Sequence, residues 1–205
     1  MSKKIFNPVV YVCLMINLAL TACSEPEPNF NNVQLFEPVR HISEFELISS
    51  EAENLTLDSL KSNWSIVFLG YTYCPDICPT TLSDLARVYP TIKQSVPNAQ
   101  VIFISADPKR DNKKQITEYI HFFNPDFVAA TAQHKQLLPF TRELGLVYSM
   151  GGEGSNYLVN HSASLVIVNP EGQLVARVKP DMSQQPAKID YQQLVSLMDY
   201  LSSKS

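Results

Sequence analysis

The sequence predicts an α/β domain in which a central mixed β-sheet carries helices on its faces. Two observations lead to this prediction. Short runs of β-branched and aromatic residues alternate with segments of helical periodicity along most of the chain. Two strand-like runs joined by a tight turn then come last. The 205 residues suffice for one well-cored domain and are few for two, and we find no internal repeat and no second core.

The elements follow from local patterns, taken in chain order. Strands are predicted at 45–48, 55–57, 64–69, 101–105, 127–130, 163–168 and 174–178, and the run 64–69 is apolar enough to be buried on both faces. Helices are predicted from Pro79 through residue 89 and at 116–123, 137–144 and 189–201, where apolar side chains recur at helical spacing. A glycine-containing segment after residue 145 is predicted to be irregular.

Composition excludes several classes of protein. The formal net charge is −4, and no basic block interleaves with aromatic residues, so nucleic acid is not an expected partner. Apolar residues do not gather in repeated spans of membrane-crossing length, which excludes a polytopic membrane protein. The four cysteines are too few for a scaffold held together by disulfides.

The first 22 residues are predicted to be a signal peptide. Lys3 and Lys4 precede a mostly apolar stretch over 5–20 that is short for a membrane span. The motif Leu20-Thr21-Ala22-Cys23 resembles the lipobox of bacterial lipoproteins, which implies cleavage before Cys23 and acylation of that cysteine. An uncleaved N-terminal membrane helix is the alternative.

The chain is therefore predicted to have three parts. Residues 1–22 are the lipoprotein signal peptide, residues 23–40 are the lipidated cysteine and a flexible tether, and residues 41–205 are the domain. Acyl chains on Cys23 would anchor the protein to a membrane. We therefore expect it on the periplasmic side of a bacterial cell envelope.

Two cysteines four residues apart, Cys74 and Cys78, lie where the buried strand 64–69 gives way to a helix. The carboxyl edge of an open α/β sheet is where such folds place their sites, and a helix N-terminus favours a thiolate. The two sulfurs can form a disulfide or converge on a metal ion. A disulfide here closes a very short loop and would contribute only about 2 kcal/mol, so redox or metal chemistry is preferred over a structural crosslink.

A third metal ligand would have to come from elsewhere in the chain. His41, His121 and His134 are expected to be solvated or packing histidines. His161 differs, because it follows a glycine-rich segment and precedes a buried strand. A loop can bring that position over the end of a neighbouring strand.

Three stretches of the sequence match one family in order and spacing. The stretch 64–79, which contains Cys74-Pro75-Asp76-Ile77-Cys78-Pro79, closely resembles the signature of the SCO/SenC copper chaperones, and so do 104–111 and Asn160-His161-Ser162. The resemblance runs from about residue 41 to the C-terminus and implies a thioredoxin-like fold with an extra N-terminal hairpin. One departure is Asn160, where the family usually has Asp.

The resemblance also implies a function. It implies copper bound by Cys74, Cys78 and His161, and delivery of that copper to the binuclear copper centre of cytochrome c oxidase subunit II. Two thiolates and an imidazole form a soft site that suits Cu(I), and Cu(II) is also strongly held by such donors. Because an oxidised cysteine pair cannot bind metal, a thiol reductant and a copper donor are expected partners.

A second function class stays open. The same cysteines, acting as a redox pair, would make the protein a thiol–disulfide oxidoreductase that reduces the cysteines of that subunit, or a redox or copper sensor. That activity does not need His161, whereas the copper site does. A metallochaperone is preferred over an enzyme, and a peroxidase is disfavoured because the two-cysteine string resembles a peroxide pocket poorly.

Overall fold

A computed structural model describes residues 28–152, 154 and 157–204. The predicted signal peptide, Cys23 and the first part of the predicted tether lie outside the described residues. The strands are β1 (Val33–His41), β2 (Glu46–Ser49), β3 (Leu55–Thr56), β4 (Trp64–Gly70), β5 (Ala99–Ser105), β6 (Val128–Thr131), β7 (Tyr148–Gly151), β8 (Leu158–His161), β9 (Leu165–Val168) and β10 (Gln173–Val178). The helices are α1 (Leu57–Leu60), α2 (Ile77–Ser95), α3 (Lys113–Phe123), α4 (His134–Glu143) and α5 (Tyr191–Ser203).

The main sheet has eight strands in the order β1-β10-β9-β4-β5-β6-β2-β3. Its centre is parallel, since β4 pairs with β5 and β5 with β6 in that sense. The pairs on both flanks are antiparallel. The predicted mixed sheet flanked by helices is therefore confirmed, and β2 with β3 forms the expected extra N-terminal hairpin.

Strand β4 shows why the sheet is covered on both faces. All seven of its residues are buried, and successive side chains of a strand point to opposite faces. Ile66 and Phe68 join the core layer that contains Leu82 and Leu85 of α2. The alternate residues, such as Leu69, join the layer on the other face with the α4 helix. The well-packed strand β4 therefore ends just before Cys74 and gives the cysteine pair a firm support.

The predicted tether is wrong in its second half. Residues 33–41 form β1, which pairs antiparallel with β10, so that Val33 faces Val178 and His41 faces Gln173. Phe36 is buried, and it is the one fully buried residue of this strand. Because the other side chains are partly or wholly exposed and Pro38 interrupts the run, the sequence shows no strand alternation here. The domain therefore begins before residue 41.

The segment after residue 145 is also more ordered than predicted. Strands β7 and β8 form an antiparallel ribbon apart from the main sheet, and Tyr148 pairs directly with His161. Most of its residues are exposed or half-buried, so no apolar pattern marks it in the sequence. His161 consequently ends a strand rather than a loose loop. None of the helices in the described part of the chain is long and apolar enough to span a bilayer.

Candidate metal centre

The structure brings together the three residues that the sequence singles out as ligands. Cys74 follows β4, Cys78 lies in the first turn of α2, and His161 is the last residue of β8. Their ligand atoms all lie within 4.8 Å of one another, and Cys78 Sγ is 3.4 Å from His161 Nε2. Among the described residues this is the one group of three or more His, Cys, Asp or Glu side chains placed to hold a metal ion.

The chain turns tightly between β4 and α2 to place the two sulfurs. The Cys74 amide donates to the carbonyl oxygen of Tyr71 over 3.2 Å, and the Thr80 amide donates to that of Asp76 over 3.3 Å. Pro79 sits in the first turn of α2, where a missing N–H costs nothing. The close turn directs both cysteines to one side of the helix N-terminus.

Gly70, the last residue of β4, makes room for the buried sulfur. A Cβ at this position would lie 2.5 Å from Cys78 Sγ and 2.7 Å from the Phe103 ring. Real Cβ atoms do not approach neighbours this closely. Glycine is therefore required here by the close approach of Cys78 to the strand.

The His161 ring is oriented by its surroundings. Its Nδ1 lies 3.0 Å from the carbonyl oxygen of Ser162, and since a carbonyl can only accept, Nδ1 carries the proton. This leaves the Nε2 lone pair facing Cys78. The rings of Tyr71 and Phe68 pack edge-on against the imidazole at 5.9 and 6.1 Å between centroids. A fixed tautomer with a free Nε2 is the usual state of a ligating histidine.

The two thiols differ in ionisation. The neighbouring Cys78 side chain and, to a smaller extent, His161 lower the pKa of Cys74 to about 4, against the opposing effect of burial. Burial, and then the neighbouring Cys74, raises the pKa of Cys78. Both cysteines are free, so at neutral pH the pair holds one thiolate, on the half-buried Cys74, and one thiol, on the fully buried Cys78.

The other histidines do not join the cluster. His41 and His121 are exposed, and His134 Nδ1 instead lies 2.8 Å from the Tyr148 hydroxyl. Asn160 is exposed as well, and as the neighbour of His161 along β8 its side chain points to the opposite face. The partner of the imidazole is therefore the Ser162 carbonyl rather than the side chain at position 160.

One pair of residues close to the site, Thr72 and Asp111, was not predicted from the sequence. The buried Asp111 carboxylate accepts hydrogen bonds from the Thr72 amide and hydroxyl, over 2.8 and 2.6 Å. Thr72 is two residues from Cys74, but Asp111 lies 39 positions along the chain from Thr72. A contact at that separation leaves no local pattern in a single sequence.

Comparison with known proteins identifies one family. The SCO1/SenC family model matches residues 34–196. An SCO2-like protein of Rickettsia felis is 28% identical over 192 residues, which cover 89% of this chain and 94% of that relative. The family match begins inside β1, in agreement with a domain that starts before residue 41.

Two solved structures are similar over most of the chain. Arabidopsis thaliana ScoI with copper bound has a TM-score of 0.71 and 29% identity, and the match covers 80% of this chain and 98% of that one. The apo Sco1 protein of Thermus thermophilus has a TM-score of 0.69 and 27% identity, with 85% and 98% covered. The likeness confirms the thioredoxin-like fold.

Proposed function

This chain belongs to the SCO1/SenC family, and on that premise we propose that it binds copper through Cys74, Cys78 and His161. The observation that carries the proposal is the convergence of two sulfurs and one imidazole nitrogen within 4.8 Å. Thiolate and imidazole donors suit Cu(I), and Cu(II) also binds strongly to such a set. A structural Zn²⁺ site would take a fourth protein ligand, and the cluster offers three.

We further propose that the protein delivers this copper to the binuclear copper centre of cytochrome c oxidase subunit II. Half-burial of Cys74 and His161 supports transfer, since an incoming ligand can reach the ion from that side. Loading requires a copper donor and a thiol reductant that keeps the cysteine pair open. Anchoring through acylated Cys23 on the periplasmic side of the envelope would hold the domain near a membrane-bound acceptor, and mass spectrometry of the mature N-terminus tests this.

A second candidate function is supported by the unequal thiols. The Cys74 thiolate would attack a disulfide of the acceptor to form a mixed disulfide. Cys78 would then lose its proton to solvent and attack Cys74. The products are a Cys74–Cys78 disulfide and a reduced acceptor with two thiols. The cysteine pair is thus oxidised by the two electrons that reduce the acceptor disulfide. This role makes the protein a thiol–disulfide oxidoreductase or a redox sensor, and the imidazole is not one of the reacting groups.

Copper titration of the reduced protein separates these functions. Wild type should bind one Cu(I), and Cys74→Ser or Cys78→Ser should abolish tight binding. His161→Ala should weaken copper binding about 10–100-fold or more, while it leaves the rate of reduction of a disulfide in the isolated acceptor domain unchanged. His121→Ala is the matched control, since that histidine is exposed and outside the cluster. Identical copper affinities for wild type and His161→Ala would overturn the three-ligand site.

A further inference from the structure

The turn between β5 and α3 carries two carboxylates that the proposed ligand set does not use. Asp107 and Asp111 are both fully buried. Burying a carboxylate is costly unless hydrogen bonds replace its water shell. Both oxygens of each carboxylate have a hydrogen-bond partner. Each carboxylate contacts a segment that carries a different candidate ligand.

Asp111 holds the segment that carries Cys74. Its Oδ2 accepts from the Thr72 amide over 2.8 Å, and its Oδ1 accepts from the Thr72 hydroxyl over 2.6 Å. The Ser105 hydroxyl donates to the same carboxylate. The carboxylate thus binds both the backbone and the side chain of Thr72. Because Cys74 lies only two residues further along the chain, these bonds also fix the segment that carries it.

Asp107 holds the strand that carries His161. The Tyr157 hydroxyl donates to Asp107 Oδ1 over 2.5 Å, and Arg110 pairs with the other oxygen. The Arg110 guanidinium also lies 3.7 Å from the centroid of the Tyr157 ring. Tyr157 immediately precedes β8 and is four residues before His161, so along an extended chain both side chains point to the same side.

The geometry points to a positioning role for this turn. We propose that residues 105–111 act as a bracket that sets the separation of the cysteine loop from the histidine strand, with Asp111 acting through Thr72 and Asp107 acting through the Tyr157 hydroxyl. This proposal rests on the proposed function, because the distance between the cysteine loop and the histidine strand would determine how the three ligands meet a copper ion. Asp107 and Asp111 are positioning residues, because neither touches a ligand atom.

The bracket explains why one turn holds two buried acids. The Ser105 hydroxyl links them, since it accepts from the Asp107 amide over 3.1 Å and donates to Asp111. The Asp111 amide also donates to the Asp107 carbonyl over 2.9 Å. Since Asp107 is linked through its backbone to Ser105 and Asp111, the cysteine loop and the histidine strand are held against one common turn.

The metal-free protein tests the bracket directly by hydrogen exchange of backbone amides. Asp111→Ala should speed exchange at residues 71–74 and leave 158–161 unchanged. Tyr157→Phe, which removes only the hydroxyl, should do the reverse. Tyr89→Phe is the matched control, since its buried hydroxyl donates to the Ala99 carbonyl elsewhere in the core. Faster exchange throughout the chain, or at neither segment, would overturn the proposal.

Copper binding supplies the second measurement. Thr72→Val and Tyr157→Phe should each weaken Cu(I) binding by about tenfold, the low end of the range for residues behind a metal ligand, and shift the Cu(II)–thiolate absorption band. Thr72→Ser keeps the hydroxyl and should retain wild-type values. Thr72→Val combined with Asp111→Asn should lose no more than the larger single effect, because the bond from the Thr72 hydroxyl that the first change removes is also altered by the second.

The outcomes distinguish the bracket from the copper site itself. If wild type takes up no copper, the proposed function fails, and the exchange pattern of the metal-free protein still decides whether the bracket exists. If wild type binds copper while Thr72→Val and Tyr157→Phe match it in affinity and spectrum, the positioning role fails and the copper site stands.

Discussion

Cys74 and Cys78 carry the same side chain four residues apart, yet they meet different surroundings. The neighbouring Cys78 side chain is the main cause that lowers the pKa of Cys74 to about 4. Cys78 is fully buried, and burial raises its pKa. The proton of the pair therefore resides on the buried sulfur. Two predictions at the scale of single residues follow from this difference.

Alkylation of the reduced, metal-free protein should modify Cys74 alone. The labelling rate should stay nearly constant from pH 8 to about pH 5 and fall as the pH drops through 4, because protonation then removes the thiolate. Mass spectrometry of the singly labelled protein identifies the site. Labelling that rises steeply between pH 7 and pH 9 would instead show an ordinary thiol at Cys74.

Cu(I) binding at pH 8 should release one proton from the thiol pair. Cys74 is already deprotonated there, and Cys78 must lose its proton to become a ligand. The pair's contribution to copper affinity should therefore fall about tenfold for each pH unit as the solution is acidified. Calorimetry in buffers of different ionisation enthalpy counts the proton, and a release of two would contradict the assignment.

Gly70→Ala should impair the site although residue 70 is not a ligand. The added methyl would overlap Cys78 Sγ and the Phe103 ring, and overpacking of this kind costs about 1–3 kcal/mol. Chemical denaturation and copper titration measure the two effects. Ala86→Gly, a change on the half-buried face of α2 away from the sulfurs, is a control that should lower stability without displacing Cys78.

The three candidate ligands could be predicted from the sequence, and Asp107 could be expected near the site because it lies at the end of a strand, but the contacts that position the ligands could not. A distinctive spacing marks Cys74 and Cys78, and the family motif marks His161. By contrast, Tyr157 meets Asp107 across 50 positions of the chain. Such a contact exists only after the fold has formed.

At the scale of elements, the buried strands were predictable and the exposed ones were not. β4 is apolar throughout, and its pattern alone places it in the core. β1, β7 and β8 bury few side chains and owe their conformation to backbone pairing with a neighbour. Strand prediction relies on the pattern of apolar side chains, so a strand that is stabilised mainly by backbone hydrogen bonds shows little pattern in the sequence.

Removal of β1 tests the corrected domain boundary. A chain that begins at Ile42 should be less stable than one that begins at residue 28 by more than about 3 kcal/mol, since it loses the buried Phe36 side chain. It should also aggregate more readily, because the paired edge of β10 becomes open. Urea denaturation and light scattering measure both, and equal stability would restore the boundary at residue 41.

At the scale of the whole molecule, the candidate ligands join distant parts of the chain. Cys78 and His161 are 83 positions apart, so both halves of the fold must be in place before the three donors meet. Unfolding should therefore break the complete site. A metal that binds the folded state alone stabilises it by mass action.

Excess Cu(I) should raise the melting temperature of the reduced protein. A free concentration 100 times the dissociation constant corresponds to about 2.7 kcal/mol. His161→Ala should show a smaller rise, because the two remaining thiols lie close in sequence and can hold copper in the unfolded chain as well. An equal rise in both proteins would mean that His161 adds nothing to the folded state's affinity.

The unequal burial of the two sulfurs also predicts the order in which the bonds to a copper ion would exchange. An ion held by all three donors would have one bond to the protein interior, through Cys78, and two near the surface, through Cys74 and His161. In the proposed transfer, a recipient's ligand would approach from the surface side, so those two bonds would exchange first and the bond to Cys78 would break last. The ion would then leave only after the recipient has bound it, and it would not be released to water during the transfer.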